Sequence, residues 1–337
     1  RPSEDGPVKT AQSAAASWHA PRMYPATYPG AAPRHHYLLL DGQVHAITLP
    51  GGDLAAACLD DGRAVDALLG SAGLPALCER VPVLAYGANR NPHTLDLKLA
   101  HHDYQTEGAS TAVPVLTGTL SDFDVVAAGL SSQGCLYADI TPCAGTTVHV
   151  HLALLDVDQA RAIHESEGVG RGGYDCARIP GFSVDDTQVR FEPLGYAGCR
   201  PVFVSPVTGE PIAFTAITAD GRSFTAMDQL EAVSHLIESC DLTGELARLL
   251  GLDRRSSPGA GAREVVRVLS GAWWYAHNTG DEPPHVARAV QRVVGGAIER
   301  HRAPTSTSRH FATEHRLVDA ATAFAAGPAS RLAAQLG

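Results

Sequence analysis

The chain has 337 residues, 45% hydrophobic and 18% charged, which is ample apolar material for one large domain or two ordinary ones. Its formal net charge is −10, with Lys and Arg scattered along the sequence, which argues against a nucleic-acid or membrane-surface partner. Seven cysteines without CxxC pairs or regular spacing argue against a disulfide scaffold and read as reduced thiols in a cytoplasmic protein, and no apolar run is long enough to span a bilayer.

Residues 1–33, rich in Ala, Pro and Ser, read as an irregular arm. A hairpin is expected over Tyr37–Leu40 and Gln43–Ile47, because Asp41-Gly42 between apolar runs signals a tight turn. A helix is expected over about 54–69, which completes an N-terminal extension over 34–80. Val81–Tyr86 reads as a buried strand ending at Gly87, and Asn91-Pro92 as a helix start, with Asn91 as cap and Pro92 in the first turn. Further strands are expected at Val113–Leu120, Gln133–Ile140, Val148–Leu155, Val189–Pro193 and Ile212–Ile217, with a turn at Pro142-Cys143-Ala144-Gly145. Asp156-Val157-Asp158-Gln159 resembles a capping box opening a helix that runs to about Ser166, with Gly168 just past its end. Longer helices are expected at Ala226–Leu250, Arg263–Ala276 and His285–His301, and a weakly helical tail from Leu317. Strands dominate the middle and helices the end, which gives an α+β class with a central domain over 81–254 and a helical C-terminal extension over 255–337.

Two segments stand out chemically. In Leu84-Ala85-Tyr86-Gly87-Ala88-Asn89-Arg90 a strand stops and a helix begins, an arrangement that gathers backbone N–H groups and suits a carboxylate. Spacing alone favours an ordinary strand-to-helix turn. In His164-Glu165-Ser166-Glu167-Gly168-Val169-Gly170-Arg171-Gly172-Gly173-Tyr174, Glu167 falls at a helix C-terminus, where exposed carbonyls repel an anion; that repulsion and any burial are expected to raise its pKa. A solvated glutamate is the commoner fate of such a residue. Glu165, two positions earlier, faces elsewhere on the helix.

The Tyr86-Gly87-Ala88-Asn89 segment resembles the YGSN loop of the γ-glutamyl cyclotransferase family. Glu167-Gly168-Val169, with Tyr174 seven residues beyond Glu167, resembles that family's EGV…Y element, and Gln133-Gly134-Cys135-Leu136-Tyr137 resembles the strand that precedes the helix. The resemblance covers about half the chain. It implies a small mixed β-barrel with peripheral helices. It also implies a reaction in which the α-amine of a γ-glutamyl group attacks its own γ-carbonyl, giving 5-oxoproline and a free amine or amino acid. Carried over, Glu167 is the general acid/base, while Tyr86, Gly87, Ala88, Asn89, Arg90 and Tyr174 bind substrate; neither a metal nor an organic cofactor is required. Ala88 stands where the family has serine, and the Thr141–Val150 region reads as if it held an extra hairpin.

The competing readings are a ligand-binding module that kept the pocket without the chemistry, and an amide hydrolase or acyl transferase using the same groups. Gly168–Gly173 fits a GxGxxG spacing but follows a helix, so it does not read as a dinucleotide site. His149 and His151 on one strand, and His101-His102-Asp103 on a loop, lack further ligands at metal-site spacing. Trp273-Trp274-Tyr275 reads as packing surface, with a homodimer interface as its other use.

Overall fold

The computed structural model describes residues 24–101, 112–253, 257–279 and 281–319. Tyr37–Leu40 (β1) and Gln43–Thr48 (β2) pair antiparallel through Asp41-Gly42, whose φ values are both positive, 46° and 75°. A two-residue turn of this kind needs φ above zero twice, which Asp-Gly supplies at low cost. The helix expected over 54–69 is shorter. A 3-10 turn at Leu54–Ala56 and a short strand Cys58–Leu59 (β3) precede it, and the helix itself spans Val65–Ser71 (α1). Gly62, at φ 84°, turns the chain back so that Leu59 accepts from Gly62 N at 2.8 Å, which a continuing helix could not do.

The centre of the sheet is Val81–Ala85 (β4), Ala112–Leu130 (β5), Leu136–Leu155 (β6), Tyr174–Arg178 (β7) and Leu194–Gly198 (β10). Short strands Phe182–Val184 (β8), Arg190–Phe191 (β9), Ala213–Phe214 (β11), Ala219–Asp220 (β12) and Ala226–Met227 (β13) attach to it. The 13-stranded sheet runs β3-β2-β1-β5-β6-β4-β10-β7, with β4–β10 and β11–β13 parallel and the other pairs antiparallel. Beyond β7, Ala177 bridges Leu317, with Arg178 N donating to Arg316 O and Val318 N to Cys176 O.

Alternate residues of the central strands enter two different cores, as a period of two requires. Leu38, Leu84, Leu116, Leu152 and Leu154 belong to one, which the helices Gln229–Ser239 (α4), Thr243–Leu250 (α5), Pro258–Thr279 (α6) and His285–Arg300 (α7) complete. Tyr37, Leu39, Val81, Val83, Val113, Val115 and Ala153 belong to the other, on the face covered by Pro92–His101 (α2) and Val157–Ser166 (α3). The single helix expected over 226–250 is two helices, because Asp241 adopts φ 54° between them. Aspartate tolerates that region better than most residues. Among the described residues, no helix is long and apolar enough to cross a membrane.

The closed barrel implied by the family resemblance is not what forms: among the described residues no ladder joins β3 to β7, and the sheet is large, mixed and open. The two strands expected at 133–140 and 148–155 are one, and no extra hairpin lies between them. The Pro142–Gly145 stretch is instead a wide bulge within β6. Ser121 pairs with Thr147 but Phe123 with Pro142, so Asp122 alone, at φ 63°, opposes residues 143–146, and its Oδ1 accepts from Gly145 N at 2.9 Å. Such a bulge bends the strand. Its far half folds back on the sheet: Ala85 pairs with His151, yet a Cβ on Gly87 would lie only 3.4 Å from the Ala138 methyl.

Side chains join the returning half of β6 to β7 and β10. Ala138 N donates to the Tyr28 hydroxyl at 2.8 Å, and the Tyr174 hydroxyl donates to Ala138 O at 2.7 Å. Asp139, fully buried, accepts from Gly198 N at 3.2 Å and from Thr307 Oγ1, in the helix Thr307–Thr313 (α8), at 2.8 Å. With these backbone groups bound to hydroxyls and a carboxylate, no strand ladder can close there.

Burial pushes the Asp139 carboxyl from its ordinary 3.8 up to about 7, against the lowering effect of bonds from Thr307, Gly198 and Ile140. The folded state therefore holds this proton more tightly than the unfolded chain, so the contribution to stability is full below about pH 4 and is lost as pH rises through about 7. Thermal melts of Asp139→Asn across that range are expected to lack the decline that wild type shows.

Candidate active site

The site lies where β4 ends. Gly87 (φ −102°, ψ −132°) leaves the strand, Ala88–Arg90 make one 3-10 turn, and α2 begins at Pro92. Asn91 caps that helix, its Oδ1 accepting from Thr94 N at 3.0 Å while its Nδ2 donates to Ala31 O at 2.7 Å. Gly87 is tightly hemmed: a Cβ would stand 3.0 Å from the Tyr28 hydroxyl as well as against Ala138. On the same face of the sheet, Asp156 opens α3 with a reciprocal capping box, accepting from Gln159 N at 2.8 Å while Gln159 Oε1 accepts from Asp156 N at 3.1 Å. Buried Arg80 fixes that end of α3 by donating to Ala112 O, Leu154 O and Gln159 Oε1 at 3.0–3.2 Å.

Glu167 is the C-cap of α3. A Cβ on Gly173 would lie 2.9 Å from Glu167 O, so glycine allows the following loop to close on the helix end. The Glu167 carboxylate accepts from Asn89 Nδ2 at 2.8 Å and from Lys98 Nζ at 2.5 Å, and Lys98 Nζ also donates to Asn89 Oδ1 at 2.8 Å. The repulsion expected from the terminal carbonyls of α3 is thus opposed by an ammonium. Lys98 and Glu167 keep side-chain exposures of 24% and 17%, so the pair is largely shielded while remaining reachable from solvent.

The structure brings together Asn89, Glu167, Tyr86, Gly87 and Tyr174. Tyr86 donates to Tyr196 O at 2.8 Å, and the rings of Tyr174 and Tyr196 meet edge-on at 6.4 Å, with the His164 ring 5.6 Å from Tyr196. Burial, with the nearby Glu167 charge adding to it, pushes the Tyr86, Tyr174 and Tyr196 phenols well above their ordinary range, so all three stay protonated. Ala88 is half-buried and packs against the main core. Arg90 is not brought to Glu167. Its guanidinium turns into the core and donates to Ala216 O at 2.7 Å, while the Tyr37 hydroxyl donates to its carbonyl at 3.3 Å. Burial holds its pKa down at about 10.

Lys98, Tyr196 and Asp139 are the neighbours that sequence reasoning missed. Lys98 did leave a signal: it lies between Leu95 and Leu99, both fully buried, so a lysine at that step of the helix sits at the edge of the buried face. The histidines part company. His149 Nε2 meets Asp220 Oδ2 at 3.2 Å, whereas His151 Nε2 meets Pro33 O at 2.8 Å. Residues 102 and 103 lie outside the described part of the chain. Among the described residues, no group of three or more His, Cys, Asp or Glu side chains is arranged to hold a metal.

No protein-family model matches the chain, and no curated protein matches it. Among solved structures it is similar to a γ-glutamyl cyclotransferase, at 13% identity and TM-score 0.27 over 64% of this chain and 99% of that one. It is also similar to an uncharacterized human protein, at 17% identity and TM-score 0.27 over 35% of this chain. The match takes in 66% of the human protein's length, just short of two thirds. A TM-score of 0.27 is too low for either likeness to assign a fold, and neither bears on activity.

Because Asn91 ends the loop that presents Asn89, its cap matters to the site. Asn91→Ala is expected to cost about 1–2 kcal/mol, read as a lowered midpoint in urea unfolding.

Proposed function

We propose that the chain is a γ-glutamyl cyclotransferase-like enzyme that converts a γ-glutamyl amide to 5-oxoproline and a free amine, with Glu167 as general acid/base. The observation that carries this reading is the 2.8 Å bond from Asn89 to Glu167, which joins two segments 78 residues apart at one point. The substrate's α-amine is an ammonium in water and must lose a proton before it can attack. Glu167 takes that proton, the α-nitrogen forms the ring C–N bond to the γ-carbonyl carbon, and the γ C–N bond to the leaving amine breaks. Glu167 returns the proton to the departing nitrogen, and a second proton, shed by the α-nitrogen as the new amide forms, follows the same route, so the lactam keeps one N–H, the amine leaves as its ammonium, and atoms and charge balance. The attack is intramolecular, so holding the substrate folded removes much of its entropic cost. Tyr86, Gly87, Ala88 and Asn89 line the γ-glutamyl end of the site, with Tyr174 beside them. Arg90 holds the loop from behind.

A second reading, a binding module without turnover, is favoured by Lys98: the carboxylate that should act as base is already paired at 2.5 Å. The two separate in a product assay over γ-glutamyl amino acids, γ-glutamyl amines and glutathione. Cyclisation yields 5-oxoproline, hydrolysis yields glutamate, and a binding module yields neither. Glu167→Gln is expected to lower kcat/KM by about 100- to 10,000-fold with the fold retained and the melting temperature lowered, because Lys98 loses its anionic partner. Full activity in that variant would remove Glu167 from the mechanism.

A further inference from the structure

Lys98 Nζ donates to Glu167 Oε1 and to Asn89 Oδ1, while Asn89 Nδ2 donates to the same Glu167 oxygen. Three groups from the loop, α2 and α3 thus close a small ring around one ammonium. The backbone carrying Lys98 is held by Leu95 and Leu99, neither with any exposed surface, so the ammonium can relocate only by swinging its own flexible stem. What the carboxylate and amide oxygen receive from Lys98 is what a substrate α-ammonium would offer them.

We propose that Lys98 determines specificity for ligands with a free α-amino-acid head group, by exchanging Glu167 for the ligand's α-carboxylate when the ligand's α-ammonium takes its place. Within an α-amino acid the ammonium nitrogen and the carboxylate oxygens are about 3 Å apart, from covalent geometry. An ammonium seated on Glu167 and Asn89 therefore brings its own carboxylate beside the displaced Lys98. Empty, the site pairs its cation with its anion. Filled by a zwitterion, it makes two crossed pairs and keeps the same net charge. A γ-amide lacking the α-carboxylate would displace Lys98 and leave a half-buried cation unpaired, which is unfavourable. A ligand with a blocked amine could not displace Lys98 at all. The inference deepens the cyclotransferase reading, from which it takes the γ-glutamyl class, but the recognition step needs no turnover.

The test uses the full chain and two chromogenic substrates, L-γ-glutamyl-p-nitroanilide and its counterpart without the carboxylate, 4-aminobutyryl-p-nitroanilide. Calorimetric binding of L-glutamine and 4-aminobutanamide runs alongside. Lys98→Met is expected to lower kcat/KM for the γ-glutamyl anilide by about 10- to 150-fold, the worth of one hydrogen bond to a charged group. The loss is expected chiefly in KM, with turnover of the aminobutyryl anilide unchanged or raised. Lys98→Arg is expected to restore part of the preference, and L-glutamine binding to follow the same order. If 5-oxoproline forms but Lys98→Met keeps the wild-type preference, the role of Lys98 is overturned and the cyclotransferase reading stands. If L-glutamine binds in a Lys98-dependent way and no substrate yields product, the cyclotransferase reading fails and the recognition role stands. Failure of wild type to prefer L-glutamine over 4-aminobutanamide overturns the role of Lys98 even if neither variant folds.

Discussion

The bend in β6 is the constraint on which the rest of the molecule depends. Where Asp122 alone opposes residues 143–146, the two-stranded ribbon can no longer run straight, and its outer half comes back over the end of β4. Everything near Glu167 follows from that return. Ala138 becomes the partner of both Tyr28 and Tyr174, Asp139 reaches the end of β10, and Gly87 is pressed between a hydroxyl and a methyl group. A closed barrel would have achieved the same proximity with backbone ladders. Here hydroxyls and one carboxylate hold the seam, and polar side chains inside a low-dielectric interior perturb one another's protonation far more than backbone bonds would.

The local elements were legible wherever a turn or cap has a chemical signature. Asp41-Gly42, Asn91-Pro92 and the Asp156/Gln159 box each name their structure because one side chain satisfies specific backbone groups or tolerates a specific φ. The Pro142–Gly145 stretch reads in sequence as a turn between two strands, since turn residues look alike whether they end a strand or bulge it. The partner that decides between the two, Asp122, lies some twenty residues away in sequence. The helical break at Asp241 was hidden for a related reason: one aspartate in the left-handed region leaves no mark in the apolar pattern on either side.

Of the site, the two motif segments could be found from residue order, whereas the group that links them showed only as a lysine at the edge of a buried helix face, with nothing to name its partner. Lys98 sits in an otherwise unremarked helix, and its meeting with Glu167 depends on α2 and α3 covering the same face of the sheet. Arg90 shows the converse. Adjacency to Asn89 in sequence suggested a shared pocket, yet the 3-10 turn sends neighbouring side chains to opposite sides, one to Glu167 and the other into the core. A glutamate at a helix C-terminus was a sound signal of something unusual, and the resolution is a nearby cation from another helix.

The pairing of Arg316–Val318 with β7 bears on the order in which the chain can fold as it is made. β7 carries Tyr174, and among the described residues its outer backbone groups are met by those around 317, while the Asp139 seam awaits Thr307. A ribosome delivers the chain from its N-terminus, so the strands around Glu167 exist for some time without their last supports. In that interval β7 presents an open edge. Full assembly of the Glu167 surroundings is therefore a late event of biosynthesis, complete only after residue 318 has left the exit tunnel.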